Sequence, residues 1–417
     1  MRILHTADLH LGQILYQYYN REDEHDLFFA QLRNFVEQHR PDALILSGDV
    51  FDVPNPSAKT WKAFTSAFVA LRKSAPDMRI VITAGNHDSA SRLQAHSDVW
   101  ELAETTVVGT PPPPDPDTAE EGWEERFIVR IPAGYIIALP FMSGDRSEIA
   151  VRLQKYVESE NAEQLPVVMT AHLAVSGSDL KGHDFEVGSL RTVDLPRLGD
   201  DYDYLALGHI HRPQTLNPAA PVGFDRFDQP MEYPAPVARY SGSPLHVSAD
   251  ETYPHSVSLV DIDRHKGRIS ILPLRVEQKR HFLTLPEGSD SFSSEKEALN
   301  ALKKLIKRGT EDTYIRFRFD IGTDLPADFN NKVYALLEEC DNRIRFNPKI
   351  VWVRKDVELS DEPDLPKEIE AEVLTQMKNP LDFIEMNISR FDSLDLDELR
   401  EAFAEIEDEL KIMEEEK

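Results

Sequence analysis

Cysteine, long apolar runs and nucleotide-binding glycine loops are scarce or missing in this sequence. Cys340 is the single cysteine, so an intrachain disulfide and a metal site built from several thiolates are both excluded. No stretch approaches the roughly 18 consecutive apolar residues of a spanning helix, so we expect no membrane segment. The pattern Gly-x4-Gly-Lys-Ser/Thr is also absent, which argues against ATP binding through a P-loop. Low cysteine content is typical of a reducing compartment, and we expect a cytoplasmic location.

Positive charge is scarce as well. The chain has 46 Lys and Arg against 74 Asp and Glu, a net charge of -28, whereas proteins that bind nucleic-acid phosphates usually have a basic surface. The imbalance is uneven, because residues 356–417 hold 22 acidic and 6 basic side chains while residues 276–355 hold 13 and 15. Divalent ions would offset part of the remaining acidity at a catalytic centre.

The sequence does contain a set of short motifs rich in Asp, Asn and His. They are Asp8-Leu9-His10, Gly48-Asp49, Gly85-Asn86-His87-Asp88, Ala171-His172, Gly208-His209-Ile210-His211 and, behind them, Ser241-Gly242-Ser243. The runs before the first five motifs are short and rich in Ile, Leu and Val, which predicts buried strands over 2–7, 43–47, 80–83, 167–170 and 204–207. Ligands emerge where strands of an open α/β sheet end, so the set predicts a metal centre at that edge.

The chemistry of these side chains narrows the choice of metal. Carboxylates, an amide and imidazoles together suit Mn, Fe or Zn better than Mg or Ca. Asp8 and His10 are two residues apart, so both would project to one side of an extended backbone and could share an ion. His209 and His211 repeat that spacing. One such motif alone is more often a turn or a helix cap, and the prediction depends on the ordered set.

These motifs make the chain resemble the SbcD family, the nuclease subunit of the bacterial SbcC/SbcD DNA-repair complex. The opening MRILHTADLHLG and the segment LSGDVFD at 46–52 are the most specific stretches. The resemblance implies two divalent metal ions, with manganese preferred. It places Asp8, His10 and His211 on one ion, Asn86, His172 and His209 on the other, Asp49 between both, and His87 beside the reacting phosphate without being a ligand.

The predicted fold class is α/β. The resemblance implies a four-layer metallophosphoesterase β-sandwich flanked by helices, followed by a small α+β capping domain and a helical C-terminal tail. Composition and the positions of turn-forming residues place the phosphoesterase domain at 1–275, the capping domain at 276–355, a linker at 356–378 and an acidic helical tail at 379–417.

Two predicted strands of the capping domain alternate apolar residues with arginines. Arg316 and Arg318 lie in one, predicted over 314–319, and Arg343 and Arg345 lie in the other, predicted over 343–353. Alternation of this kind buries one face of a strand and exposes the other. The arginines therefore form either a solvated sheet face or a surface that contacts DNA phosphates, and the resemblance favours DNA contact.

The tail carries a narrow apolar seam with intervals of three and four residues. Its members are Leu396, Leu399, Phe403, Ile406, Leu410 and Met413. A short helix of this kind, placed after a linker, has little of its own chain to pack against, so we expect it to bind a partner. The resemblance identifies that partner as an SbcC-type coiled-coil ATPase.

The resemblance also implies a homodimer within a heterotetramer. The segment 61–71 places Phe64, Phe68 and Leu71 on one helical stripe, which is either a dimer surface or ordinary core.

The predicted function is that of a metal-dependent DNA nuclease subunit, acting on DNA ends and hairpins in repair, recombination and replication. The resemblance implies ATP-dependent double-strand 3′ to 5′ exonuclease and single-strand endonuclease activities. It also implies that the protein is associated with the nucleoid. Alternatives are another calcineurin-like phosphoesterase, such as a phosphatase or cyclic-nucleotide phosphodiesterase, or a non-enzymatic scaffold. Protein phosphatases of this type continue Gly-Asp-x-x-Asp with Arg-Gly, whereas Val53-Pro54 follows Asp52 here. The intact ligand set argues against a scaffold.

Overall fold

A computed structural model describes residues 1–113, 120–180, 192–217, 220–223, 227, 229–251, 253–309, 312–338 and 343–353. Residues 1–353 form one compact unit. The predicted linker at 356–378 and the predicted tail at 379–417 lie outside the described residues, as do the proposed partner-binding residues Leu396, Leu399, Phe403, Ile406 and Leu410.

Strands and helices alternate along most of this unit. The helices are α1 (Glu22–His39), α2 (Ala58–Ser74), α3 (Ala90–Gln94), α4 (Ser97–Glu101), α5 (Ser147–Glu160), α6 (Glu295–Arg308) and α7 (Phe329–Leu337), with short 3-10 helices at Trp123–Phe127, Leu195–Leu198 and Arg264–Lys266. The strands are β1 (Arg2–Thr6), β2 (Ile14–Leu15), β3 (Tyr19–Asn20), β4 (Ala43–Ser47), β5 (Arg79–Thr83), β6 (Thr105–Val108), β7 (Ile128–Ile131), β8 (Gly134–Ala138), β9 (Val167–His172), β10 (Ala174–Val175), β11 (Thr192–Val193), β12 (Tyr204–Gly208), β13 (Gln214–Asn217), β14 (Ala220–Gly223), β15 (Met231–Pro234), β16 (Val237–Tyr240), β17 (Ser256–Asp263), β18 (Arg268–Arg275), β19 (His281–Leu285), β20 (Thr313–Asp320), β21 (Ile344–Phe346) and β22 (Val351–Val353).

Two seven-stranded sheets organise the first 275 residues. The first has the order β15-β18-β17-β1-β4-β5-β6, and the second has the order β14-β13-β16-β12-β9-β8-β7. Strands β1, β4, β5 and β6 are parallel in the first sheet, and β16, β12, β9 and β8 are parallel in the second. Parallel central strands end on the same side of their sheet, so the loops that follow them are brought together.

The two sheets pack face to face. Ile3 and Ile45 of the first sheet share a buried apolar cluster with Ile136 and Val168 of the second. Hydrogen bonds also cross between the sheets, because the Ser47 and Thr170 hydroxyl oxygens lie 2.8 Å apart. A strand turns successive side chains to opposite faces, so each central strand supplies apolar residues to two layers.

Helices cover the outer faces of the sandwich. Leu4 and Leu44, which point away from the second sheet, pack with Phe28 of α1 and Phe64 of α2. Helix α5 packs against the second sheet, where its Gln154 amide approaches the Met169 sulfur. This arrangement confirms the predicted α/β class and the sandwich flanked by helices.

The stripe on α2 belongs to this core. Phe64, Phe68 and Leu71 are each no more than 1% exposed and pack within the chain. Of the two interpretations of the stripe, ordinary core is the one that its packing supports. Among the described residues, no helix has both the length and the apolar character that a membrane span requires.

Residues 276–353 have a core of their own. Strands β19, β21 and β22 each pair in parallel with β20, and α6 and α7 complete a cluster around Phe317 and Phe319. A single strand over 343–353 was expected, but β21 and β22 are separate and pair with different halves of β20. The break falls at Asn347-Pro348, where proline removes a backbone donor and the Asn347 side chain accepts the Lys349 N–H at 2.9 Å.

Candidate metal centre

The motif-bearing strands end at one edge of the sandwich. The loop after β1 runs beside the loop after β4, because the Asp8 N–H donates to Gly48 O and the His10 N–H donates to Asp49 O, both at 3.1 Å. In the second sheet, Gly208 is paired in register with His172. Backbone hydrogen bonding thus sets the spacing of the side chains that follow.

Four of these side chains leave the backbone from a strained conformation. Asp8, His10, Asp49 and His209 have φ values of 53°, 46°, 47° and 99°, in the positive-φ region that residues with a Cβ rarely adopt. The expectation that Asp8 and His10 project from an extended strand is therefore wrong, because β1 ends at Thr6. Strain of this kind persists only where the surroundings fix it, and such residues cluster at functional sites.

Glycine is required where the loops approach one another most closely. A Cβ on Gly85 would lie 2.1 Å from Asp49 Oδ1, and a Cβ on Gly48 would lie 2.2 Å from His172 Nδ1. Neither distance is physically possible, so any larger residue would displace Asp49 or His172.

The first group of potential ligands contains Asp8, His10 and His211, whose ligand atoms lie within 4.8 Å of one another. All three are buried. Both ring nitrogens of His10 lack a hydrogen-bond partner among the described residues, although Nδ1 lies 3.2 Å from Asp52 Oδ1. Unsatisfied buried polar atoms are uncommon in folded proteins, and a metal ion would satisfy this imidazole.

The second group is centred on the Asn86 side chain. Its Oδ1 lies 2.9 Å from His172 Nε2 and 2.9 Å from His209 Nδ1. His172 Nδ1 donates to the Ser47 carbonyl oxygen at 2.9 Å, so the neutral imidazole has its lone pair on Nε2, which faces Asn86 Oδ1. A backbone carbonyl that fixes a histidine tautomer in this way is typical of metal-binding imidazoles.

Asp49 lies between the two groups. Its Oδ2 is 3.4 Å from His172 Nε2 and 3.8 Å from His10 Nε2. Its other oxygen, Oδ1, accepts the His87 N–H at 2.9 Å. One carboxylate oxygen therefore faces ligand atoms of both groups, while the second oxygen holds the adjoining loop.

The pKa values of the side chains at this edge depend on their burial and on the charges of their neighbours. Burial raises the pKa of Asp8 to about 6. Burial acts on Asp49 in the same direction, but the neighbouring His172 and His10 outweigh it and hold the pKa of Asp49 well below its usual range. Burial lowers the pKa of His172, yet Asp49 and Asp8 raise it to about 9. Without ions, the cluster balances its negative charge with protons.

His87 lies beside both groups and is exposed. Its Nδ1 donates to the Asp52 carbonyl oxygen at 2.9 Å, and its ring centroid is 4.9 Å from that of His10. Ligand atoms of His10, Asp49 and His87 also lie within 4.8 Å of one another. This geometry allows His87 to be either a ligand or a group that contacts the reacting phosphate.

The family model of the calcineurin-like phosphoesterases matches residues 1–213, about half of the chain, and this stretch contains every potential ligand named above. The chain belongs to the calcineurin-like phosphoesterase family. It is therefore a hydrolase of phosphate esters, and its family is metal-dependent.

Curated relatives narrow the comparison. The phosphoesterase is 32% identical over 293 residues to the SbcD subunit of the nuclease SbcCD from Rhodobacter capsulatus, which covers 63% of this chain and 66% of the relative. It is 30% identical to the SbcD subunit from Escherichia coli, covering 60% and 62%, and 30% identical to that of Bacillus subtilis, covering 63% and 66%. The matches thus span slightly less than two thirds of the relatives' length.

Two carboxylates behind the ligands of the phosphoesterase escaped the sequence interpretation. Asp88 accepts N–H groups from Val50, Phe51 and Gly85 at 2.9 to 3.1 Å, and so ties the loop after β5 to the loop after β4. Glu251 places Oε1 3.0 Å from His211 Nδ1 and orients that ring. Asp88 belonged to a motif without an assigned role, whereas no local pattern marks Glu251.

The four arginines predicted to contact DNA lie in different environments. Arg345 is 7% exposed, and its guanidinium pairs with Glu24 at 3.2 Å and lies over the Tyr19 and Tyr314 rings. The expected exposed position is therefore wrong for Arg345, because the three-residue strand β21 is buried on both faces.

The other three remain accessible to different degrees. Arg316 is partly buried and pairs with Asp250 at 2.6 Å. Arg318 is also partly buried and donates to the carbonyl oxygens of Gly288 and Asp290, whereas Arg343 is exposed. Of the four, Arg318 and Arg343 are the ones whose position suits contact with a phosphate backbone.

Proposed function

We propose that this phosphoesterase is a metal-dependent DNA nuclease of the SbcD type, which hydrolyses phosphodiesters at DNA ends and hairpins. The observation that carries the proposal is the position of Asp49, whose Oδ2 faces both ligand groups. The similarity to nuclease subunits in three bacteria supports the choice of DNA as substrate.

Two divalent ions fit the side chains of this site; the mixed oxygen and nitrogen ligands suit Mn, Fe or Zn, and the resemblance to the SbcD family favours manganese. Asp8, His10 and His211 would hold one ion, Asn86, His172 and His209 would hold the other, and Asp49 would contact both. Such ions lower the pKa of a bound water and stabilise the charge that develops on the phosphate. The ring nitrogens of His10, which have no hydrogen-bond partner in the described part of the chain, support this assignment.

His87 is the proposed catalytic side chain of the protein itself. Its backbone N–H is fixed by Asp49 and its ring by the Asp52 carbonyl oxygen. Since Nδ1 donates to that carbonyl, Nε2 is the nitrogen that remains, and in the imidazolium form its N–H would donate to the phosphate or protonate the leaving 3′ oxygen. The same carboxylate thus positions both the ligand groups and the catalytic imidazole.

The proposal includes the wider assembly. Arg318 and Arg343 would contact DNA phosphates, the tail would bind a coiled-coil ATPase, and two copies of the chain would form the dimer of a heterotetramer in the cytoplasm, near the nucleoid. ATP would then drive 3′ to 5′ degradation of duplex ends, while single-strand cleavage needs the phosphoesterase alone.

A direct assay separates this function from its alternatives. The purified chain is incubated in Mn²⁺ with hairpin DNA, with single-stranded DNA and with p-nitrophenyl phosphate, a phosphomonoester. We expect cleavage of both DNA substrates and little release of nitrophenol. Fast monoester hydrolysis without DNA cleavage would support a phosphatase, and no hydrolysis of any substrate would support a scaffold.

A further inference from the structure

A cavity of about 480 Å³ adjoins the second ligand group. Asn86, His172 and His209 line one end of it, so the cavity is continuous with the proposed reaction centre. Its volume falls within the roughly 300 to 1,000 Å³ of typical small-molecule sites. Whatever occupies the cavity must therefore be joined to, or lie next to, the phosphate under attack.

The walls of the cavity are mainly apolar. Phe141, Met142 and Leu173 are partly exposed and line it, while Ala150 of α5 and Ala174 are buried small residues that leave the space open. The Phe141 ring is held near the ligands, because its backbone N–H donates to Ala84 O at 2.7 Å. Its centroid lies 6.2 Å from that of His172, with an angle of 78° between the rings.

Apart from Asn86, His172 and His209, three polar side chains line the cavity: Ser147 is buried, Arg146 is partly buried and Ser143 is exposed. The Arg146 guanidinium donates to the carbonyl oxygens of Pro112 and Pro113. A mainly aromatic and aliphatic lining with a few hydrogen-bonding groups matches a flat, apolar-faced ring that has polar edges.

We propose that this cavity binds the base of an unpaired nucleotide next to the scissile phosphate, with Phe141 as the stacking surface. The inference rests on the proposed nuclease function. The groups joined to a DNA phosphate are nucleosides, and of their parts only the base has the faces that this interior suits. Proteins that bind single strands without sequence preference stack bases on aromatic side chains in the same way.

The site would favour frayed ends and hairpin loops over intact duplex. A base that is still stacked and paired cannot enter this recessed cavity without first leaving the helix, and leaving the helix costs free energy. For an unpaired base most of that cost is already absent. Base identity would matter little, since every base has a face that can stack.

The test uses single-stranded oligonucleotides that are identical except for one abasic residue, placed in turn on each side of the cleaved phosphate. For the wild-type chain, the abasic residue at one of these positions should lower kcat/KM roughly tenfold, the scale of losing one stacked base. Phe141→Ala should lower kcat/KM by a similar factor on the normal oligonucleotide and cause no further loss on the abasic one.

Two further variants test whether the loss of activity in Phe141→Ala comes from a disturbed fold and not from a lost stacking surface. Ser143→Trp adds a bulky side chain at the exposed mouth and should also lower cleavage of the normal oligonucleotide. Trp352→Ala removes a half-exposed aromatic ring of β22, remote in sequence from the cavity, and should leave both rates unchanged. Metal content of Phe141→Ala, measured by calorimetry, should equal that of the wild type.

The outcomes distinguish the inference from the function on which it rests. If the wild type cleaves normal and abasic oligonucleotides equally well, the base subsite is refuted while the nuclease stands. Equal losses from Phe141→Ala on both substrates would refute the subsite too, because the ring would then act through His172. If the wild type cleaves neither oligonucleotide, the proposed nuclease function is wrong and the inference is refuted with it.

Discussion

Two buried charged clusters in this molecule differ in what balances their carboxylates. At the joint between α1 and residues 276–353, Glu24 accepts hydrogen bonds from Arg21, Arg280, Arg345 and the Tyr314 hydroxyl, at 2.6 to 3.3 Å. Burial raises the pKa of Glu24, but these arginines outweigh it and the pKa is lowered overall. This carboxylate is fully satisfied by the protein.

The metal centre shows the opposite arrangement. Asp8 and Asp49 are equally buried, yet the ion pairs found for them within the described part of the chain involve only histidines. Burial raises the pKa of Asp8 to about 6, and neither ring nitrogen of His10 has a hydrogen-bond partner among the described residues. In this molecule, the buried carboxylate that has arginine partners stabilises the fold. The buried carboxylates without arginine partners indicate a site for an external cation.

The largest expected effect comes from Asp49→Asn. This change preserves the size of the side chain and removes the charge shared by the two ligand groups, so Mn²⁺-dependent DNA cleavage should fall roughly a thousandfold or more. The fold should persist, as judged by circular dichroism and the melting temperature. Cleavage of single-stranded DNA near the wild-type rate would show that Asp49 does not hold the ions.

When folding stability is measured instead of DNA cleavage, a change in the Glu24 cluster should have the larger effect and a change in the metal centre the smaller one. Glu24→Gln leaves Arg21, Arg280 and Arg345 without their shared counter-charge, so the free energy of unfolding should fall by about 3 to 5 kcal/mol. The matched change Asp8→Asn, in protein stripped of metal, should alter it by less than about 1 kcal/mol, because no arginine loses a partner. Denaturant unfolding of both variants measures the contrast, and equal losses would contradict it.

His87→Ala sharpens the distinction between ligands and the catalytic group. The variant should keep its full complement of metal but cleave DNA roughly a hundredfold more slowly, the usual scale of general acid catalysis. Calorimetric titration with Mn²⁺ and a single-turnover cleavage assay provide the two readouts. Loss of one ion from the variant would make His87 a ligand and the assigned role wrong.

The smallest predicted effect concerns a buried histidine outside both clusters. Burial, reinforced by Arg239, lowers the pKa of His5 to about 3, so the folded chain resists protonation that the unfolded chain accepts near pH 6.5. Stability is therefore full above pH 6.5 and falls as the pH drops toward 3, by roughly 2 kcal/mol between pH 7 and pH 5. His5→Gln should flatten this part of the pH profile of the unfolding free energy, and an unchanged slope would contradict the assignment.

Much of the fold could be predicted because buried strands have a strong local signal. The strand Ala43–Ser47 begins and ends where its apolar run predicts, and Tyr204–Gly208 extends one residue beyond the predicted 204–207. The side chains of three motifs also meet as their positions at strand ends suggest, because Asn86 Oδ1 lies 2.9 Å from both His172 Nε2 and His209 Nδ1, while their binding of an ion stays a prediction. In each case the decisive residues are neighbours in sequence or lie at the ends of runs that hydrophobicity defines.

The remaining features depend on contacts between distant parts of the chain. Glu251 acquires its role only because the fold places it beside His211, forty positions earlier in the sequence. Arg345 is buried because β21 lies between two packed surfaces, which overrides its alternating pattern. The left-handed backbone of Asp8 accompanies the hydrogen bond from its N–H to Gly48 O. The pattern of apolar residues in the sequence does not predict that hydrogen bond.

The central claim is that two cations complete the cluster around Asp49, and the number of bound ions tests it most directly. Crystals soaked in Mn²⁺ should show two anomalous peaks per chain, one within bonding distance of Asp8, His10 and His211 and the other within bonding distance of Asn86, His172 and His209. Asp49 should contact both. A single peak at saturating Mn²⁺, or two peaks that do not share Asp49, would contradict the account.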